Sequence, residues 1–283
     1  MAQPACPLAC PDLDALQAIV LGIVQGLTEF LPISSSAHLR IVPAAFGWDD
    51  PGAAFTAIVQ LGTMAAVLLY FRRDLWNIVR AFLRGLRDPA ERGTLDSRLG
   101  WFLIIGTIPI AVIGLVFKDQ IENEFRTLEL IGATMIVMGL LLGRADASGD
   151  EDRTIEDLTR RDAVTIGFAQ AAALVPGVSR SGATITAGLF LGLDRVAAAR
   201  FSFLLSVPAV VLSGLFELRH LGEGQHASAG ATVIATILAF VVGYASIAWL
   251  LRFITMHSFR GFVIYRLILG AMVILLAATN TIV

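Results

Sequence analysis

The chain has 283 residues, 56% of them hydrophobic and only 16% charged, and its mean hydropathy is +0.76. Such values fall outside the usual range for soluble globular domains and make the bilayer the expected solvent. The formal net charge of -2 reflects nearly equal numbers of acids and bases, so bulk charge argues against nucleic acid as a partner.

The N-terminal stretch MAQPACPLACPDLD contains both cysteines, Cys6 and Cys10, in no metal-site spacing, and they are read as incidental. It lacks the basic n-region of a cleaved signal peptide, so the first apolar segment is expected to be retained. Six stretches are apolar enough to span a membrane as helices: 53–71, 99–117, 128–143, 201–218, 229–251 and 261–283. The third is somewhat short. Two further apolar stretches, 15–33 and 163–178, each lead through Pro into a Ser-rich run.

An internal repeat organises these elements. At an offset of 145, Gln25 aligns with Gln170, Ile33 with Val178, Ser34 with Ser179 and Ser36 with Ser181, and the segment from Phe55 resembles that from Phe201. The chain therefore reads as a single membrane domain, 1–283. Repeat one covers about 15–143, a cytoplasmic linker about 144–162, and repeat two about 163–283. If the two Ser-tipped segments dip in and return, each half crosses three times and the halves are inverted. Excluding Arg180 and Arg266, that arrangement puts fifteen Lys and Arg inside and four outside (Arg40, Lys118, Arg126, Arg219), against twelve and seven if the segments cross fully. The expected fold is thus an all-α integral membrane protein with six transmembrane helices and two re-entrant helix-loop-helix segments, arranged as an inverted repeat. Its polar breaks should meet near the midplane, where non-helical backbone must be buried in protein or line a cavity.

The first break follows Glu29, whose ionised carboxylate is costly at hydrocarbon depth unless paired, hydrated or metal-bound. Snorkelling or a helix-packing role is the bland alternative. Gln25, four residues earlier, shares its helix face and could act on the same ligand. After Pro32 come Ser34, Ser35, Ser36 and His38. Each could serve packing alone, yet hydroxyls, an imidazole and a carboxylate fall within ten residues of one another. In the second break, PGVSRSGAT, Arg180 needs an anion, and its planar fork suits phosphate oxygens. An internal ion pair with Glu29, holding the repeats together, is the alternative. Ser179 or Ser181 could cap a helix beginning near Ala183, with Thr184 in its first turn, so that two helix N-termini face one polyanion. Loss of Glu29 or Arg180 is expected to remove turnover while leaving melting similar.

Other features read blandly. The Arg-rich stretch from Arg72 to Arg98 is most simply a solvated cytoplasmic loop, with room for an interfacial helix touching anionic lipid. The acidic run DASGDEDRTIED is a linker, and His220, His226 and His257 show no metal spacing.

QGLTEFLPISSSAHL, followed about 145 residues later by PGVSRSGATI, resembles the undecaprenyl-pyrophosphate phosphatases of the bacitracin-resistance type, over almost the whole chain. The resemblance implies a multi-pass enzyme of the bacterial inner membrane with its site facing the periplasm. It would hydrolyse undecaprenyl pyrophosphate to undecaprenyl phosphate and inorganic phosphate, recycling the carrier lipid for peptidoglycan synthesis. It assigns the family's acidic motif to Gln25 and Glu29, its Ser and His to Ser35 and His38, and its Arg to Arg180 flanked by Ser179 and Ser181. It also implies a divalent cation, Mg²⁺ or Ca²⁺, beside Glu29. Gln25 departs from members with Glu there, and Ala37 from those with Gly, so acidic work falls more heavily on Glu29.

Ser35, His38 and metal-activated water remain open as the nucleophile, with Ser34, Ser36, Ser179, Ser181, Thr184 and Gln25 as substrate contacts. A polyprenyl-phosphate transporter is the rival reading, since inverted repeats with midplane breaks are common in transporters. Membrane lipids are further expected partners, and a homodimer stays open.

Overall fold

The computed structural model describes residues 13–50, 52–117, 127–148, 152–217, 228–279 and 281–282. Cys6, Cys10, Lys118, Arg126, Arg219, His220 and His226 lie outside the described residues. Within them the protein is all-helical. Eleven α-helices run α1 (Ala15–Phe30), α2 (Ser35–Phe46), α3 (Gly52–Tyr70), α4 (Arg72–Arg87), α5 (Leu95–Val116), α6 (Leu128–Ser148), α7 (Arg160–Ala172), α8 (Arg180–Phe190), α9 (Arg195–Glu217), α10 (Ala229–Phe253) and α11 (Arg260–Ala278).

Helix starts follow the capping chemistry of the sequence. Asp14 and Gln17 form a reciprocal capping box at α1, and Thr159 and Asp162 form another at α7. α1 stops two residues before Pro32, whose ring cannot continue a helix. Five helices, α5, α6, α9, α10 and α11, are long and apolar enough to cross a membrane. A sixth crossing is counted if α3 and α4, which bend by 75° at Phe71, are taken together. α6 runs to Ser148, so the apolar stretch that looked short continues as a full-length helix.

The acidic run after it is more than a linker. Asp146 is buried at the end of α6, where it accepts from Arg195 Nε at 2.7 Å and from the Phe259 amide at 2.9 Å, tying α6 to the starts of α9 and α11. Arg153 pairs with Asp162 at 2.5 Å and donates to the Leu191 carbonyl at 2.6 Å. A charge that falls between two predicted spans has become part of their packing.

α1 packs against α10, and α7 packs against α5. Both contacts depend on glycine at the crossing, where helix backbones come close. A Cβ on Gly22 would come 2.5 Å from the Ala235 carbonyl oxygen, and one on Gly167 would come 2.6 Å from the Gly106 carbonyl oxygen. Gly22 and Gly167 are themselves 145 residues apart. Neither clash can be relieved by rotating a side chain, since backbone lies on the far side. Gly167→Val is therefore expected to destabilise the fold by about 2 kcal/mol, the usual scale of overpacking, read as a lowered melting temperature in detergent. An unchanged melting temperature would refute this account of the crossing.

Candidate functional site

The two breaks are built alike. Ser34 caps α2 and Ser179 caps α8, and each has a positive φ, 75° and 72° respectively, a conformation rare outside glycine. The Ser34 hydroxyl accepts from the Ala37 amide at 3.4 Å, and the Ser179 hydroxyl accepts from the Gly182 amide at 3.0 Å. Each capping hydroxyl also contacts the serine two residues on, Ser36 at 3.2 Å and Ser181 at 3.1 Å. The second helix thus begins at Arg180, three residues before the position expected from sequence. Ser35 and Arg180 become equivalent first residues of equivalent helices.

Both of these residues meet Glu29. Glu29 Oε2 accepts from Ser35 Oγ at 2.6 Å and from Gln25 Nε2 at 3.0 Å, while Oε1 accepts from Arg180 Nη2 at 2.5 Å. The carboxylate is 7% exposed and the guanidinium 17%, so the pair is held mostly out of water. Such a pair needs its hydrogen bonds, because desolvation offsets much of its Coulomb attraction. The internal ion pair weighed as an alternative from sequence therefore forms, and only one arm of the Arg180 fork is used for it. The amides of Ser35, Ser36, Arg180 and Ser181, the first of each helix, take no partner among the described residues. Unpaired amides at two helix starts, beside a guanidinium, make a place for phosphate oxygens.

The tips also grip one another. Ser36, the most exposed of the first three serines, accepts from the Gly177 amide at 3.4 Å, and Ser181 donates to the Leu31 carbonyl at 3.0 Å. Ser34, Ser179 and Ser181 are buried in caps and cross-links. Thr184 lies elsewhere: its hydroxyl donates to the Arg180 carbonyl at 2.8 Å and meets Ser202 Oγ at 2.6 Å, on the side packed against α9. The structure does not bring it to the Glu29 cluster.

His38 is buried, yet it is bonded away from Ser35. Its Nδ1 lies 2.7 Å from the Ser34 carbonyl oxygen and its Nε2 lies 2.6 Å from Tyr265 Oη. A carbonyl can only accept, so Nδ1 carries a proton, and in the neutral ring Nε2 accepts from the Tyr265 hydroxyl. The two rings are nearly parallel, 6° apart.

Two residues of this constellation, Tyr265 and Arg266, were not singled out from sequence. Arg266 is fully buried and donates to carbonyls only: Met135 at 3.1 Å, Pro32 at 3.0 Å, Gly177 at 2.9 Å and Val178 at 3.1 Å. Both breaks thus hang on one guanidinium. The signal was available, since an arginine within the apolar stretch 261–283 is as anomalous as Glu29 is in its own. Tyr265 gave no such signal, because a tyrosine in a span is ordinary.

Fitness for a divalent cation rests on oxygen donors. Among the described residues no group of three or more His, Cys, Asp or Glu gathers. One buried acceptor, Gln25 Oε1, has no partner among the described residues, and the Nε2 of the same amide donates to Glu29 at 3.0 Å. Amide and carboxylate oxygens fit a hard cation such as Mg²⁺ or Ca²⁺ that completes its shell with water and substrate phosphate. His257 stacks on Phe253 at 4.4 Å and takes no part.

Fold and site together define an all-α, multi-pass membrane protein whose polar centre lies where two helix breaks meet. Its residues 18–272 match the family model described as bacitracin resistance protein BacA, and the chain belongs to that family. Similar proteins include one from a Nocardioides species, 57% identical over 271 residues (95% of this chain, 99% of the relative). Others come from Myxococcus xanthus, 52% identical over 95% of this chain and 91% of the relative, and Thermobifida fusca, 52% over 94% and 91%. All three carry the name undecaprenyl-diphosphatase.

The Glu29–Arg180 pair alters one expectation from sequence. Removing either partner leaves the other charge uncompensated, so Arg180→Ala is expected to lower the melting temperature as well as turnover. A double-mutant cycle with Glu29→Gln and Arg180→Ala should give a coupling of about 1–3 kcal/mol by melting. Additive losses would show that the pair does not hold the tips together.

Proposed function

We propose that this protein is a membrane phosphatase that hydrolyses undecaprenyl pyrophosphate to undecaprenyl phosphate and inorganic phosphate, returning the carrier lipid to peptidoglycan synthesis. The observation that carries the reading is Glu29, held between the Ser35 hydroxyl at 2.6 Å and the Arg180 guanidinium at 2.5 Å. A nucleophile, its proton acceptor and a cation for the transferring group then share one carboxylate. The names of the relatives favour hydrolysis over the transport reading.

In the first step, Ser35 Oγ attacks the terminal phosphorus in line, and the bond from that phosphorus to the bridging oxygen breaks. The Ser35 proton passes to Glu29 Oε2, and undecaprenyl phosphate leaves. Arg180 and the free amides at the starts of α2 and α8 hold the equatorial oxygens. In the second step, water attacks the phosphorus of the phosphoserine, the bond from phosphorus to Ser35 Oγ breaks, the proton held on Glu29 Oε2 returns to that Oγ, and inorganic phosphate leaves with the protons of the water. Both nitrogens of His38 are already engaged, by Ser34 and Tyr265, which supports Ser35 over His38 as the nucleophile. His38, Ser34 and Tyr265 instead shape the first turn of α2. A Mg²⁺ or Ca²⁺ on Glu29 and Gln25 would offset phosphate charge when bound. Ser36, Ser179 and Ser181 set the walls of the phosphate site, and Thr184 supports Arg180 from behind through its carbonyl.

We read the chain as an inverted repeat, with the site open to the periplasmic side of the bacterial inner membrane. Support comes from matched features at one offset: capping serines with positive φ, paired hydroxyls, and glycines at the crossings of α1 on α10 and α7 on α5. The charge count of the loops supports the orientation.

The test is phosphate release from a polyprenyl pyrophosphate by the purified protein in detergent, with and without divalent cation. Release that depends on the cation is expected; a folded sample releasing none would overturn the proposal. Ser35→Ala should lower kcat by about 10³-fold or more, on the scale of removing a nucleophile, and a labelled phosphate should be trapped on Ser35. Label on His38 would reverse the assignment. Tyr265→Phe is expected to lower kcat about tenfold, the scale of one lost positioning hydrogen bond of about 1 kcal/mol, with KM little changed. It should also broaden the His38 tautomer population seen by ¹⁵N NMR, and a wild-type tautomer in the variant would remove the role given to Tyr265.

A further inference from the structure

Among the described residues α4 is the most polar long helix, and two of its faces are largely exposed. Ile78 and Gly85 are buried against α5, where Phe82 packs edge-on to Trp101 at 5.1 Å. Beside that buried face run Trp76, Val79, Leu83 and Leu86, spaced by three and four residues and about half exposed. Next to them, also at helical spacing, lie Arg73, Arg80, Arg84 and Arg87, all exposed. The 75° bend at Phe71 turns this helix away from the direction of α3. An apolar stripe flanked by a row of arginines belongs in a lipid interface, with leucines among acyl chains and guanidinium groups among headgroups.

The C-terminal end of α4 carries more than a basic row. A cleft of about 590 Å³ opens there, lined by Leu83, Arg84, Leu86, Arg87, Asp88 and Glu91. Its two arginines and two carboxylates cancel, so the cleft has no net charge. They do not cancel through contact: none of the four forms an ion pair with another described residue. Asp88 Oδ1 accepts from the Ala90 amide at 2.9 Å, which fixes that carboxylate at the rim. The Gly85 carbonyl accepts from Arg92 Nε at 2.8 Å, which holds the following turn, and with it Glu91, against the helix.

The geometry points to a seat for a zwitterionic glycerophospholipid headgroup with a primary ammonium, as in phosphatidylethanolamine. The phosphate would take Arg84 and Arg87, the ammonium would donate to Asp88 and Glu91, and the acyl chains would lie along Leu83 and Leu86. Charge decides between headgroups. An anionic headgroup satisfies the arginines and leaves two carboxylates repelling it, and a quaternary choline has no N–H to donate to them. This inference is independent of the phosphatase reading, since no residue of the cleft belongs to the Glu29 site.

The experiment is native mass spectrometry of the full-length protein in detergent. It is supplied with an equimolar mixture of phosphatidylethanolamine, phosphatidylcholine and phosphatidylglycerol of identical chains. The wild-type protein should retain phosphatidylethanolamine over each of the others by about fivefold, the combined effect of two partly exposed ionic contacts. In the Asp88→Asn, Glu91→Gln double variant that preference should fall to about one, and Arg84→Gln with Arg87→Gln should weaken retention of all three. Melting temperatures of both variants in detergent, unchanged from wild type, confirm that they fold. Preference for phosphatidylglycerol in the wild type, or a preference for phosphatidylethanolamine that survives loss of the two carboxylates, would overturn the assignment.

Discussion

Where a helix breaks inside a membrane protein, its carbonyls need donors that neither water nor lipid supplies. Arg266 meets that requirement for both breaks at once, donating to Pro32 on one side and to Gly177 and Val178 on the other. Its remaining bond, to Met135, anchors the arrangement to α6. A lysine could not do this, since a guanidinium offers five donors in a fixed fork and an ammonium offers three on a flexible stem. The side chain carries a full positive charge with no carboxylate among its partners, so carbonyl dipoles alone stabilise it. Together with the Ser36–Gly177, Ser181–Leu31 and Glu29–Arg180 contacts, that side chain sets the register between the two tips.

The two tips are capped alike, and the residues that differ between them are those gathered at Glu29. Ser35 and Arg180 occupy the same position in their respective helices, 145 residues apart, yet one is a hydroxyl and the other a guanidinium. Glu29 has Leu174 as its counterpart, and His38 has Ala183. Gln25 and Gln170 stand at the same offset, and each keeps a buried amide oxygen without a partner among the described residues. At Gln25 the amide donates to the Glu29 carboxylate at 3.0 Å; at Gln170 it donates to the Gly106 carbonyl at 3.3 Å. One half has kept the frame without the acid.

Much of this was legible in the sequence, because hydrophobic length and caps are local properties. Five of the six expected spans, the Ser-rich breaks and the anomaly of Glu29 in an apolar stretch could be read directly, while 53–71 falls on α3, which counts as a crossing only together with α4. Three things could not. The start of α8 at Arg180 depends on Ser179 adopting a positive φ, which propensity disfavours and which the surrounding contacts impose. The partner of His38 lies 227 residues away on α11, so no spacing reveals it. The acidic run near 146–157 looked solvated because its sequence neighbours are polar, while its spatial neighbours are Arg195, Phe259 and Leu191.

The crossing glycines bear on how the chain comes to be assembled. Gly22 on α1 is seated against Ala235 on α10, more than two hundred residues later in the chain, whereas Gly167 on α7 is seated against Gly106, which precedes it. During synthesis, α7 emerges to find its groove already present. The helix that α1 meets at its own crossing, α10, is made only near the end of the chain. The two crossings thus close at different points of synthesis, and the one on the helix that bears Glu29 closes later.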